Sequence, residues 1–198
     1  MTKPANTATP ISTLLANRWS TRSYDASHVI SDEQVLAILE AGRWAPSANN
    51  LQPWRFSVLK RGTELHTRLS TEALSGFNAM WAPDASAYFV VSRKLFTADG
   101  TPNFISTYDC GLASMSMLIE AEAHGLNGHV MAGITHDKVA EILELPHDLG
   151  VLVVIAIGKP HELTEAESEA TGRNAIYERQ LAPRERHSLS EIVTHGLN

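Results

Sequence analysis

A short run near the beginning of the chain combines charged and hydroxyl side chains at alternate positions. Residues 18–22 read Arg-Trp-Ser-Thr-Arg, and we call them the arginine segment. In an extended conformation Arg18, Ser20 and Arg22 would project from one side, because alternate side chains of a strand share a face. Arginine forms bidentate, charge-assisted hydrogen bonds with phosphate oxygens and serine adds a neutral donor, which suits a phosphate site. An exposed loop with two arginines has the same spacing, and spacing alone favours that simpler interpretation.

A second polar run is rich in side-chain amides. Residues 46–53, the amide loop, read Pro-Ser-Ala-Asn-Asn-Leu-Gln-Pro and precede Trp54. An amide offers a donor and an acceptor together, which the polar edge of a flavin or a nucleobase requires, and the prolines restrict the backbone. The alternative is a turn whose amides bond only to their own backbone. The residues themselves leave both interpretations open.

The composition restricts the classes of function. The chain has 198 residues, 43% of them hydrophobic, so it can build a sizeable core. Its 16 basic and 22 acidic residues give a net charge of −6, which argues against general affinity for nucleic acids or anionic membranes. Any bound phosphate must therefore be held by local groups.

Cysteine, histidine and apolar patterning exclude further classes. The single Cys110 rules out an internal disulfide, and we predict a small core residue in a protein of a reducing compartment, the cytoplasm. The nine histidines lack metal-ligand spacing, so no metal site is predicted. Residues 1–10 do not resemble a secretory signal, and residues 151–157 are far shorter than the roughly 20 that span a membrane.

Predicted helices and strands alternate along the chain. Ser31 and Gln34 are spaced as a capping box and predict a helix over about residues 32–43. Further helices are predicted at residues 63–75, 109–124 and 137–145, and strands at 54–60, 87–91, 128–132 and 151–157. Residues 162–169, with four glutamates, are predicted to be a solvated segment. A pattern of apolar and polar residues returns at 189–193.

Taken together, these motifs resemble those of the nitroreductase family of FMN-dependent oxidoreductases. The family's marks are Arg-x-Ser-x-Arg/Lys, Pro-Ser-x-x-Asn-x-Gln-Pro-Trp and a late basic pair, and all three occur here in order between about Leu14 and Val193. The resemblance implies an α+β fold: a three-layer α/β/α sandwich with a mixed, mainly antiparallel central sheet, in a domain-entwined homodimer. It also implies one FMN-binding domain over residues 1–198, with a core of about 12–193.

The same resemblance implies a set of cofactor-binding residues. Around the FMN phosphate and ribityl chain they are Arg18, Trp19 (through its backbone), Ser20, Arg22, Arg184 and Arg186. Those in the loop that reaches the flavin of the neighbouring subunit are Pro46, Ser47, Ala48 and Asn50, and Gln52 precedes the Pro-Trp pair. Asn78 matches an asparagine at the flavin's polar edge. Met131, Ala132 and Gly133 match the segment that offers a backbone N–H to flavin N5, although an ordinary strand end at a glycine has the same residues.

One position departs from the family pattern. Trp81 stands where relatives often carry a basic residue that stabilises the reduced flavin. We expect its indole to stack on an aromatic acceptor instead.

The family resemblance implies a ping-pong reaction in which NADH or NADPH delivers hydride to flavin N5 and a nitroaromatic or quinone then accepts it. No side chain is expected to act as a catalytic acid or base, because the cofactor carries the chemistry. A second hypothesis is a divergent FMN enzyme, either flavin-cleaving or a reductive dehalogenase. The dehalogenase lid uses Glu, Tyr and Lys, whereas residues 61–93 offer Glu64, Glu72 and Tyr88 but no lysine. A third hypothesis is a non-enzymatic flavin store or sensor, and a fourth is a domain that binds no cofactor.

Overall fold

The computed structural model describes residues 3–196. Four strands form one sheet: β1 (Trp54–Lys60), β2 (Ala87–Lys94), β3 (Asn127–Met131) and β4 (Leu149–Gly158). The helices are α1 (Thr13–Asn17), α2 (Asp32–Arg43), α3 (Glu64–Arg68), α4 (Ser106–Ala123), α5 (His136–Ile142), α6 (Glu165–Thr171), α7 (Asn174–Leu181) and α8 (Leu189–Ile192).

The sheet has the strand order β1-β2-β4-β3, and each neighbouring pair is antiparallel. Phe89 of β2 lies opposite Val58 of β1 and Ile155 of β4, and Val130 of β3 also faces Ile155. The mainly antiparallel sheet is as predicted, and within residues 3–196 no strand pair is parallel.

The two central strands have apolar residues on both faces, which produces the predicted three layers. Phe89 of β2 and Ile155 of β4 face a core shared with α2 and α4, whereas Val90 and Val154 face a second core, beside α5 and α7. Alternate residues of a strand point to opposite faces, so an uninterrupted apolar run indicates a sheet covered on both sides.

The elements with strong local signals begin and end close to their predicted positions. Ser31 and Gln34 form the predicted capping box, with each side chain bonded to the other residue's backbone N–H, and α2 runs from Asp32 to Arg43. The strand predicted at residues 87–91 continues to Lys94. The helix predicted at residues 63–75 is α3 followed by one wider helical turn, Leu69–Ala73.

Residues 162–169 are mostly exposed, as predicted for a solvated segment, but they also contain the start of a helix that the sequence did not predict. Thr164 and Glu167 form a capping box that begins α6, and α7 follows after Gly172, which adopts a left-handed conformation at φ 67°. Both helices are short and mostly polar, with Ile176 as the one buried apolar residue of α7. A single buried apolar residue gives no helical period, so neither helix was predicted from the sequence pattern.

None of the helices within residues 3–196 is long and apolar enough to cross a membrane. Over the same residues, no three His, Cys, Asp or Glu side chains are grouped as metal ligands.

Candidate functional site

A cavity of about 380 Å³ lies between Lys3, the arginine segment and residues 179–186, which we call the C-terminal segment. We call it the cation cavity, because six of its lining residues are basic and one is acidic. Its lining residues are Lys3, Arg18, Trp19, Ser20, Arg22, Arg179, Ala182, Pro183, Arg184, Glu185 and Arg186. The structure thus brings together the six residues predicted around the phosphate. The sequence analysis missed Lys3 and Arg179.

Burial alternates along the arginine segment, which fits the extended conformation considered for it. Trp19 and Thr21 are buried, while Arg18, Ser20 and Arg22 alternate with them and line the cavity. The backbone of the segment is held from the core side, because the buried ring of His129 donates a hydrogen bond from Nδ1 to the Thr21 carbonyl oxygen at 2.8 Å. This burial argues against the simpler interpretation of an exposed loop.

Two arginines of the cavity keep their hydrogen-bonding capacity. Neither the Arg18 nor the Arg22 guanidinium forms a hydrogen bond or ion pair with another residue in the range 3–196. Burial lowers the pKa of Arg18, and the nearby charges of Arg184 and Arg186 lower it further. Burial and then Arg179 lower the pKa of Arg22. A bound anion would offset both causes.

The late basic pair, Arg184 and Arg186, differs from Arg18 and Arg22 because both of its guanidinium groups donate to backbone carbonyl oxygens. The Arg184 guanidinium donates from Nη1 to the carbonyl oxygens of Lys3 (2.5 Å) and Ala16 (2.7 Å), and from Nη2 to that of Arg18 (2.9 Å). Arg186 is exposed at the rim and donates to the Glu185 carbonyl oxygen at 2.6 Å. Arg184 therefore connects chain segments, whereas the guanidinium donors of Arg18 and Arg22 are not bonded to any residue that the structure describes.

The amide loop is not part of this cavity. Asn49, Asn50 and Gln52 are exposed and have positive φ angles of 49°, 56° and 47°, in the left-handed region that non-glycine residues seldom adopt. Pro46 is exposed, and the Ser47 hydroxyl accepts a hydrogen bond from the Gln52 backbone N–H at 3.1 Å.

The amides of the loop behave in two ways. Gln52 bonds within the loop, from Nε2 to the Asn50 carbonyl oxygen at 3.0 Å, which fits the turn interpretation. The side chains of Asn49 and Asn50 form no hydrogen bond with the described residues, which leaves their donors and acceptors open to a ligand or partner. Buried Asp109 of α4 holds the loop, since both of its carboxylate oxygens lie 3.3 Å from the Ala48 backbone nitrogen.

A third group lies at the end of β3. Asn78 donates from Nδ2 to the Gly133 carbonyl oxygen at 3.1 Å, so the structure brings these two predicted residues together. Met131 is buried, while Ala132 and Gly133 are exposed, and their two N–H groups form no hydrogen bond within residues 3–196. Neither Asn78 nor residues 131–133 line the cation cavity.

The expectation for Trp81 was wrong. Its side chain is 1% exposed and packs against Tyr24 and His129, with ring centroids 6.2 and 4.5 Å away. The indole fills the core beside the arginine segment, so it is not available to stack on an acceptor.

The fold and these groups define a class: an α/β/α sandwich protein with a cation-lined cavity between residue 3, residues 18–22 and residues 179–186. The model of the nitroreductase family matches residues 15–87 and 77–159, and the chain belongs to this family.

Individual relatives agree with this assignment. The chain is 33% identical over 154 residues to a protein of Archaeoglobus fulgidus provisionally named an NADH dehydrogenase/NAD(P)H nitroreductase, and the match covers 75% of this chain and 84% of the relative. It is 28% identical to the NADPH-flavin oxidoreductase of Vibrio harveyi, over 86% of this chain and 73% of the relative. A solved structure described as an oxidoreductase containing FMN has a TM-score of 0.85 and 31% identity, and the match covers 97% of this chain and 94% of that one.

Proposed function

We propose that this protein is an FMN-dependent oxidoreductase that passes reducing equivalents from NAD(P)H to a nitroaromatic, a quinone or a similar acceptor. The observation that carries the proposal is the cation cavity, in which the Arg18 and Arg22 guanidinium groups form no hydrogen bond or ion pair with any residue in the range 3–196. The names of the relatives support it, because they include an NADPH-flavin oxidoreductase and an oxidoreductase containing FMN.

The residues of the cavity fit the phosphate of FMN. A phosphate monoester is close to a dianion at neutral pH and accepts several hydrogen bonds, which Arg18, Arg22 and the Ser20 hydroxyl could donate. Hydrogen bonds to charged groups contribute about 1.5 to 3 kcal/mol each, enough to retain a cofactor in a protein whose net charge is negative. Arg184 would hold the surrounding segments in place.

The end of β3 fits the isoalloxazine end of the cofactor. When bound, FMN supplies the redox chemistry, accepting hydride at N5 and passing it to the acceptor. We propose that the N–H of Ala132 or of Gly133, neither of which is bonded among the described residues, would donate to N5 and that Met131 would contribute only backbone. Asn78, which holds the Gly133 carbonyl, would keep this segment oriented toward the flavin's polar edge.

We also propose a homodimer with FMN at the subunit interface. An apolar cavity of about 420 Å³ lies between α4 and the edge formed by β3 and β4. Tyr108 and Met115 of α4 are exposed nearby, as is Phe104 just before the helix, and such patches mark interfaces. A second copy of α4 would cover this face. Pro46, Ser47, Ala48 and Asn50 would then contact the partner's flavin.

Several expectations remain part of the proposal. They are the single FMN-binding domain over the whole chain, the cytoplasmic location and the ping-pong order. The dehalogenase hypothesis loses support, because Tyr88 is fully buried in β2 with its hydroxyl 2.9 Å from that of Ser70, and Glu72 pairs with Arg68. Tyr88 is therefore not placed to contact a substrate as a lid residue.

The visible absorption spectrum of the purified protein tests the proposal, followed by anaerobic addition of NADH and then NADPH. We expect flavin absorption that bleaches within seconds and identifies the preferred donor. A bound flavin that neither reductant bleaches would favour a store, a sensor or a flavin-cleaving enzyme. A colourless protein that takes up no added FMN would overturn the proposal.

A further inference from the structure

Lys3, the first described residue, lines the cation cavity and is hydrogen-bonded to the C-terminal segment on the other side of the cavity. Lys3 donates from Nζ to the carbonyl oxygens of Gln180 (2.6 Å) and Ala182, at the end of α7 and just beyond it. Its ammonium group also lies 5.1 Å from the centre of the Trp19 ring. One side chain thus touches two of the three segments that surround the cavity.

The reverse connection comes from the C-terminal segment. Arg184 donates to the Lys3, Ala16 and Arg18 carbonyl oxygens, and the Ala5 backbone N–H also donates to the Ala16 carbonyl oxygen, at 2.8 Å. Lys3 and Arg184 therefore each bind the backbone of the segment that carries the other. These reciprocal bonds close a ring around the cavity.

The ammonium group of Lys3 lies close to other positive charges, which disfavour its charged form. Burial lowers the pKa of Lys3, and the neighbouring charges of Arg184 and Arg22 lower it further. The carbonyl oxygens of Gln180 and Ala182 offset part of that repulsion, and an anion in the cavity would offset more. A bound anion is thereby expected to strengthen the ring that surrounds it.

We propose that residues 3–5 and Arg184 form a clasp that closes the cation cavity around its anionic ligand and slows the ligand's release. The inference rests on the proposed function, in which that ligand is the phosphate of FMN. Lys3 and Arg184 act here as positioning residues, and opening their bonds precedes cofactor exchange.

The test is the dissociation rate of FMN, measured by capture of released FMN with excess apoflavodoxin at about 0.3 M salt, where surface charges are screened. Lys3→Met keeps most of the side chain's length and removes its donors. We expect dissociation about tenfold faster, since a charged hydrogen bond contributes enough for that change. Lys138→Met is the control, because Lys138 is on α5 and pairs with Glu141, outside the cavity lining.

A second variant separates the clasp from the charge of Lys3. Ala5→Pro removes the N–H that bonds to Ala16 and leaves every charge in place, and we expect dissociation about threefold faster. Ala5→Gly keeps that N–H and serves as the matched control. Unchanged association rates and unchanged thermal midpoints without FMN exclude misfolding as the cause.

The outcomes distinguish this proposal from the proposed function. Faster release from both Lys3→Met and Ala5→Pro, with both controls like the wild type, supports the clasp. If Ala5→Pro releases FMN no faster than Ala5→Gly, the clasp is overturned, even where Lys3→Met weakens binding through charge. If the wild type binds no FMN, the proposed function fails and the cofactor clasp with it.

Discussion

The cation cavity and the amide loop are both polar, but contacts within one chain hold the residues of the cavity in place more fully than those of the loop. In the cavity, Trp19 and Thr21 are buried, His129 anchors the backbone, and Arg184 joins three segments. In the amide loop, the side chains of Asn49 and Asn50 are exposed and unbonded within residues 3–196.

The difference follows from where each region finds its partners. Backbone carbonyls of the same chain surround Arg184, so one fold positions the cavity's charges. The amide loop holds three non-glycine residues at positive φ, a conformation that costs free energy and that persists only where other contacts enforce it. Asp109 supplies one such contact and the Lys94 backbone N–H, which donates to the Pro53 carbonyl oxygen, supplies another. We expect the second subunit and its flavin to add further contacts.

The largest effect is expected inside the cavity. Arg18→Ala removes a guanidinium with no partner in the described chain, and we expect it to weaken FMN binding by about 1.5 to 3 kcal/mol. Arg184→Ala combined with Arg186→Ala should weaken FMN binding as well. Fluorescence titration of the apoprotein measures both, with Arg68→Ala, whose side chain pairs with Glu72, as the control. Wild-type affinity in Arg18→Ala and in the double variant would contradict the assignment of the cavity to the phosphate.

Much of the fold and part of this site could be predicted because the signals are local. The capping box of Ser31 and Gln34 begins α2 as predicted, and the alternation of Arg18, Ser20 and Arg22 gives their shared side. Such patterns depend on residues two to four positions apart.

Groups that depend on distant residues were missed or misjudged. Lys3 lines the cavity through carbonyls about 180 positions away, and nothing near it in sequence indicates this. Arg179 is placed by α7, whose single buried apolar residue leaves no period to detect. Trp81 is buried because Tyr24 and His129 pack against it from other segments, which position alone does not reveal.

A pH titration tests how much the neutral ring of His129, which bonds to the backbone of the arginine segment, contributes to the free energy of unfolding. Burial lowers the pKa of His129 to about 4, below its unfolded value near 6.5, so the unfolded state binds the proton first as the pH falls. Stability from the neutral ring is complete above pH 6.5 and is lost between about 6.5 and 4. Between pH 7.5 and 5.0 we expect this one group to account for about 2 kcal/mol of lost unfolding free energy in the apoprotein.

His129→Asn isolates this contribution. It removes the titrating group and keeps an amide that can donate to the Thr21 carbonyl oxygen. His66, also buried with a pKa lowered to about 4, stays as a constant background in both proteins. Urea unfolding at the two pH values should show a smaller loss in the variant. An equal loss in both proteins would mean that His129 is not held neutral beneath the arginine segment.

The amide loop should act on the site of the other subunit. Asn50→Ala is expected to weaken FMN binding by about 1 kcal/mol, because it removes one neutral hydrogen-bonding group. Mixing Asn50→Ala subunits with Arg18→Ala subunits should then restore FMN affinity at one site of each heterodimer. Titration of the refolded mixture against the two parent variants measures the recovery. Without recovery, both regions would have to serve a site within one chain.

The smallest expected effect concerns Asp109, whose carboxylate contacts the Ala48 backbone N–H of the loop. Asp109→Asn keeps an acceptor for the Ala48 N–H but removes the charge, and we expect FMN binding to weaken by about 0.5 kcal/mol. Hydrogen exchange at the Ala48 amide should become faster. If Asp109 acts by orienting the loop, its effect should largely disappear in the Asn50→Ala background, because coupled groups are not additive. Full additivity of the two substitutions would show that the loop is positioned by something other than this carboxylate.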